Sequence, residues 1–150
     1  MKTPLKFDIS TDDVITPKEV NYEYKLMFEE RSIPLLAYNL ETVLAEKMET
    51  IISRGILNTR MRDYYDLMIL NVIKSDAINY ADLAKALEAT SRKRNSYELL
   101  SAPKHILKQI KSDAGLMEQW GIYQRKFDYA ADYHWEDIVK NIEQLFKKLM

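Results

Sequence analysis

The sequence predicts an α+β protein, mostly α, in which short strands from the edge of a sheet precede a helical bundle. Three observations predict it. The first 38 residues alternate apolar and polar side chains in short runs, the period of half-buried strands. From Asn39 onward the apolar spacing becomes that of helices. The 150 residues hold only three Gly and four Pro, so few positions interrupt those helices. Residues 1–38 are therefore read as the strand region and 39–150 as the helical domain.

Leu5-Lys6-Phe7-Asp8-Ile9-Ser10 alternates and reads as the first strand, and Thr16-Pro17 breaks the chain after it. Asn21 to Phe28 alternates again, with Tyr22, Tyr24 and Leu26 on one side. Ser32 to Tyr38 forms a third apolar run, with Glu29-Glu30-Arg31 as the turn between the last two. Asn39 can cap a helix that puts Leu40, Val43, Leu44, Met48, Ile51 and Ile52 on one face, and Gly55 can end it. A second helix is expected from Asn58 or Thr59 to about Lys74. Its residues Tyr64, Tyr65, Leu67, Met68, Ile69, Leu70, Val72 and Ile73 surround it almost completely, which predicts wide burial. Further helices are expected at Tyr80–Thr90, Pro103–Lys111 and Ala114–Asp128. A closing helix from Trp135 places Ile138, Val139, Ile142, Leu145, Phe146 and Leu149 on one stripe. No internal repeat or low-complexity segment interrupts the pattern.

Composition removes several classes of function. There is no Cys, hence no disulfide, thiolate zinc site or cysteine nucleophile. His105 and His134 are isolated and read as surface or satisfied histidines, not ligands. Gly55, Gly115 and Gly121 lie far apart, so no glycine-rich phosphate cradle exists. A formal net charge of −1 gives no global reason to expect a nucleic-acid coat or a membrane-surface protein. No apolar run reaches the roughly 18 residues that span a bilayer. The start, Met1-Lys2-Thr3-Pro4, lacks an apolar signal core, so the expected location is the cytoplasm.

Charges on apolar faces give the sharpest signal. With Leu40 at zero, the apolar face of the first long helix spans about −60° to +120°. Lys47 falls near −20° and Arg54 near −40°, both inside it, at 100° per residue. Glu46 and Glu49 are expected to point to solvent. On the next helix, Asp63 and Asp66 stand at i and i+3 beside Leu67 and Leu70 and need cationic partners, for which Lys47, Arg54, Arg60 and Arg62 are available. Such a cluster is either a structural ion-pair network joining two helices or a polar site lining a cleft. Asp8, on the polar side of its strand, is either solvated or a metal-binding carboxylate. Arg92-Lys93-Arg94 lies beyond the third helix, where cations favour a C-terminus, and can also meet RNA phosphates. Phe127 to Trp135 is an aromatic-rich connection, read as core and capping.

The segments Tyr38-Asn39-Leu40-Glu41-Thr42-Val43-Leu44-Ala45-Glu46-Lys47 and Arg60-Met61-Arg62-Asp63-Tyr64-Tyr65-Asp66-Leu67 resemble the AbiEii/AbiGii toxin family. These are nucleotidyltransferase-fold proteins of bacterial abortive-infection and toxin–antitoxin systems. Ala45-Glu46-Lys47 is similar to the family's third motif. Arg62-Asp63-Tyr64-Tyr65-Asp66 is similar to its fourth, with Arg62 where Lys is usual, a change that keeps the charge and alters its geometry. Phe7-Asp8-Ile9-Ser10 looks like the second motif, which carries a metal-site carboxylate. The later helices, Trp120 to Tyr123 among them, look like the family's C-terminal bundle, so the resemblance covers nearly the whole chain.

The resemblance implies that the strands belong to a nucleotidyltransferase-type sheet and that the complete enzyme moves a nucleotide from an NTP, with Mg2+, to an acceptor such as tRNA. It implies Lys47, Asp63 and Asp66 as catalytic-site residues, with Lys47 on phosphate or developing charge and Asp63 the more direct of the two acids. Arg54, Arg60 and Arg62 would bind the nucleotide, and Asp8 the metal. The family's Gly-Ser turn and Asp-x-Asp pair are absent from this sequence, so the expectation is the C-terminal portion of such a toxin, inactive by itself. The alternative is a non-enzymatic helical interaction module that dimerises through an uncovered sheet edge or binds a protein partner. An antitoxin is the partner the family implies. RNA binding through Arg92, Lys93 and Arg94 is a third reading.

Overall fold

The computed structural model describes residues 13–149; the Leu5–Ser10 run, with Asp8, lies outside the described residues. Within them, strands β1 (Val20–Lys25) and β2 (Ser32–Ala37) precede six helices. These are α1 (Leu40–Arg54), α2 (Met61–Ile73), α3 (Tyr80–Lys93), α4 (Pro103–Ser112), α5 (Ala114–Lys126) and α6 (Trp135–Leu149). The mostly-α, α+β class read from periodicity is the class observed. Short 3-10 turns at Gly55–Leu57, Ser75–Ala77, Tyr97–Ser101 and Asp128–Ala130, which carry no periodic signal, fill the connections.

The strands form an antiparallel hairpin in which Tyr22 faces Leu35 and Tyr24 faces Ile33. Residues opposite each other share a sheet face, so Val20, Tyr22, Tyr24, Ile33 and Leu35 make one apolar face. All five are exposed. The connection is longer than a tight turn at Glu29-Glu30-Arg31: it is closed by Leu26 N–H donating to the Arg31 carbonyl at 3.1 Å. Asn39 attaches the hairpin to the bundle. Its side-chain N–H donates to the Thr16 and Lys18 carbonyls, both at 2.8 Å, while its oxygen accepts from Thr42 N–H at 2.7 Å and caps α1.

α1 starts and stops where its signals place it. Gly55, at φ +53°, supplies the left-handed residue that ends it. α2 begins at Met61, later than expected, because the Gly55–Leu57 turn and extended Asn58 intervene. α3 runs three residues past Thr90, to Lys93. The core lies between α1 and α3 and between α2 and α6. It is filled by Leu44, Met48, Ile51, Tyr64, Leu67 and Leu83 with Ile138, Ile142 and Leu145 of the α6 stripe, each fully buried. Burying an aliphatic side chain of this size contributes about 1.5–3 kcal/mol. Tyr64 and Trp135 meet edge to face at 5.0 Å, and Trp120 Nε1 donates to the Tyr133 carbonyl at 2.9 Å.

α2 is not buried all round. Val72 and Ile73 are 56% and 66% exposed because they continue the face of Arg62 and Ile69, while Asn71 in the same turn is buried and donates to Asn141 Oδ1 of α6 at 2.8 Å. Periodicity registers which side chains are apolar; it cannot register which side of the helix a neighbour covers.

Candidate functional site

Lys47 leaves the flank of the α1 apolar stripe and enters the seam with α2. Its side chain is 20% exposed, and its ammonium donates to Asp63 Oδ1 at 3.3 Å and Asp66 Oδ2 at 2.9 Å. The i, i+3 spacing of the two aspartates puts both carboxylates on the helix face that meets Lys47. Asp63 is the more enclosed, at 10% against 28%, and its Oδ2 is buried without a hydrogen-bond partner. Arg60 approaches that oxygen to 3.5 Å, and Arg62 reaches Asp66 Oδ2 at 3.6 Å. The structure thus brings together five of the seven site residues read from the sequence: Lys47, Arg60, Arg62, Asp63 and Asp66.

The other two stand apart. Asp8 lies outside the described residues. Arg54 is exposed rather than tucked into the apolar stripe, and it forms no ion pair among the described residues. The buried face of α1 runs through Leu44, Ala45, Met48, Glu49, Ile51 and Ile52, and so is turned from the side that carries Val43, Lys47 and Arg54.

Glu46 and Glu49 do not point to solvent. Glu49 is 4% exposed and receives Arg94 Nη1 at 2.7 Å and Ser96 Oγ at 2.7 Å; Glu46 faces Arg94 Nη2 at 3.5 Å. The end of α3 and the turn after it fold over this side of α1, and Arg94 brings the compensating charge that buried carboxylates need. Burial pushes the Glu46 carboxyl up; Arg94 opposes that, and Asp13 adds to it. Burial by itself would lower Arg94, but its hydrogen bond to Glu49 and the charges of Glu49, Glu46 and Asp13 outweigh that and raise it. The sequence reads Arg94 only as a helix-end cation or RNA contact and not as a neighbour of Glu46 and Glu49, since a cation beyond a helix end has no apolar periodicity to stand against.

Two recesses open along this side of α1, of which the first touches Lys47. One of about 210 Å³ is lined by Glu46, Lys47, Thr50, Arg60, Asp63 and Arg94. The other, about 370 Å³, is lined by Glu49, Thr50, Ser53, Arg54, Arg60 and Arg94. On the opposite side of the ion cluster, Arg62 and Asp66 face an aromatic wall. Tyr65 lies 4.9 Å from Tyr129 and 6.4 Å from Tyr123, ring to ring, and the Tyr123 and Tyr129 hydroxyls are 2.9 Å apart. Burial raises the Tyr123 pKa most, then the Tyr129 hydrogen bond and Asp66, while Arg62 lowers it. An apolar cleft of about 290 Å³ over Leu107 and Phe146, between α4 and α6, lies away from these charges.

Among the described residues no group of three or more His, Asp or Glu is placed to hold a metal ion. Asp63 and Asp66 share Lys47 and are each approached by an arginine, so they are matched to cations of the protein itself. The described residues therefore do not fit a metal centre. What they do fit is an anion that meets Lys47 and the arginines. His105 and His134 are exposed and belong to neither recess.

A family model described as Nucleotidyl transferase AbiEii toxin, Type IV TA system, matches residues 1–143. No curated protein and no solved structure matches the chain significantly.

Proposed function

The chain belongs to the nucleotidyl transferase AbiEii toxin family of type IV toxin–antitoxin systems, and on that premise we propose that its charged seam is the phosphate side of a nucleotide-transfer cleft. The reaction is transfer of a nucleotide from an NTP to an acceptor, with tRNA the acceptor proposed. A nucleotidyltransferase of this kind generally uses a divalent metal, with Asp8 as the carboxylate this chain would contribute. An antitoxin is the partner that a toxin–antitoxin family implies.

The observation that carries the reading is the position of Lys47. A lysine held by two carboxylates at 3.3 and 2.9 Å, yet still 20% exposed at the edge of a recess, is oriented and open to an incoming anion. Asp63 and Asp66 fix where its ammonium points, so little side-chain freedom is lost when phosphate arrives. Asp63, with one buried oxygen lacking a hydrogen-bond partner, is the acid proposed to act directly; Asp66 positions Lys47. Arg60 and Arg54 stand on the phosphate side, and Arg62 on the side of the aromatic wall. Amine acylation followed by peptide mapping tests this on the chain as it is. A nucleoside triphosphate should suppress labelling of Lys47, and unchanged labelling would overturn the assignment.

A second reading, a non-enzymatic module that self-associates, is favoured by one observation. The hairpin face of Val20, Tyr22, Tyr24, Ile33 and Leu35 is apolar and exposed throughout. No described helix is long and apolar enough to cross a membrane.

A further inference from the structure

We propose that the apolar groove over Phe146, where α6 meets α4 on one side and α3 on the other, docks an acidic amphipathic helix of a partner protein. The groove shares no lining residue with the recesses along α1. It stands independently of the nucleotide-transfer reading.

The groove is made of two sockets joined at the Phe146 ring. One, of about 290 Å³, lies over Pro103, Leu107 and Phe146 between α4 and α6. The other, of about 190 Å³, lies among Leu87, Leu100 and Leu149 between α3 and α6. Each falls below about 300 Å³, the lower end for small-ligand pockets, and suits a single apolar side chain. Two such sockets meeting at one ring suit a segment that carries two apolar anchors, which is how an amphipathic helix enters a groove. The floor is recessed, with Leu107 1% and Phe146 4% exposed. An inserted side chain reaches such a floor, whereas a flat lipid surface does not.

Charge decides what kind of helix fits. Lys104 and Lys108 of α4 and Lys147 of α6 line the first socket, against one carboxylate, Glu143. All three lysines are exposed and have no ion pair among the described residues. The Lys47 seam is different, because its cation is already matched to Asp63 and Asp66. Lys104 and Lys108 stand one turn apart, about 6 Å along the axis. Carboxylates at i and i+4 of a partner helix have that same spacing. At the second socket the one charged lining residue, Glu88, is held by Arg92 at 2.9 Å. The acidic end of the partner therefore lies over α4 and its uncharged apolar end toward α3. A net charge of −1 draws no acidic partner from a distance, so recognition rests on these local lysines.

The test is fluorescence anisotropy, with the whole chain titrated into labelled helical peptides of about 15 residues. The panel carries two leucines one or two turns apart beside glutamates at i and i+4, and each peptide has a counterpart with lysines in place of the glutamates. An acidic peptide is expected to bind at least about tenfold more tightly than its counterpart at low salt, with the gap closing as salt rises. Lys104→Glu combined with Lys108→Glu should weaken the acidic peptide by about tenfold and strengthen the lysine counterpart. Both positions are exposed, so folding is not at issue. Lys140→Glu, an exposed position on α6 that lines neither socket, should change binding less than about twofold. No binding by any acidic peptide, equal binding of both kinds, or an equal loss with Lys140→Glu would overturn the proposal. Two other occupants would overturn it as well. A concentration-dependent dimer abolished by the same two substitutions gives the groove to a second copy, and displacement of the peptide by decanoate at equal concentration gives it to a small amphiphile.

Discussion

Glu46 shows how one residue couples the site to stability. Its pKa is raised chiefly by burial, with Arg94 opposing and Asp13 and Glu49 adding. A carboxyl whose folded pKa lies above its unfolded one stabilises the fold fully below the unfolded value of 4.5. That contribution is lost as pH rises through the raised value, because the unfolded chain then gives up the proton more readily. Glu46→Gln removes the dependence. The stability of the variant relative to the parent should therefore improve as pH rises from 4 toward 7, over about the range set by the upward shift. Urea unfolding at several pH values measures it; a constant difference would show that Arg94 fully compensates the burial. Glu49, more deeply buried and doubly hydrogen-bonded, is the residue through which Arg94 and Ser96 tie α3 to α1. No periodic pattern in the sequence exposes that link.

At the scale of elements, the hairpin and α6 contrast. α6 has a complete apolar stripe and the structure buries it, from Ile138 to Phe146. β1 and β2 have an equally regular apolar face, and it is left in solvent, with Tyr22 54% and Leu36 71% exposed on its two sides. A two-stranded ribbon is marginal without something packed on its face, and the attachments are polar ones, through Asn39, Thr42 and the Tyr38–Asp13 hydrogen bond at 2.7 Å. If a second copy supplies the cover, light scattering at rising concentration should show a dimer, and Tyr22→Lys should return it to monomer. A monomer at all concentrations would remove the self-association reading and leave the hairpin as part of a larger sheet.

At the scale of the whole molecule, the family match over residues 1–143 carries nucleotide transfer as the family's chemistry. The sequence nonetheless has no Asp-x-Asp pair. We therefore expect the pure 150-residue chain, given labelled NTPs, magnesium and total tRNA, to incorporate no nucleotide. Incorporation that disappears on Asp8→Ala would reverse this. By itself the sequence determined the class of fold, the helix starts near Asn39 and Tyr80, and that Asp63 and Asp66 share a face in need of cations, with Lys47 one of four candidates, because helical period fixes which side chains share a face. Only the tertiary structure decided that Lys47 takes both aspartates, that Arg94 covers Glu46 and Glu49, that Arg54, Val72 and Ile73 stay exposed, and that Arg62 lines neither recess beside Arg94. Those outcomes depend on which side of a helix its neighbours cover, and a repeat within a single helix carries no record of where they pack.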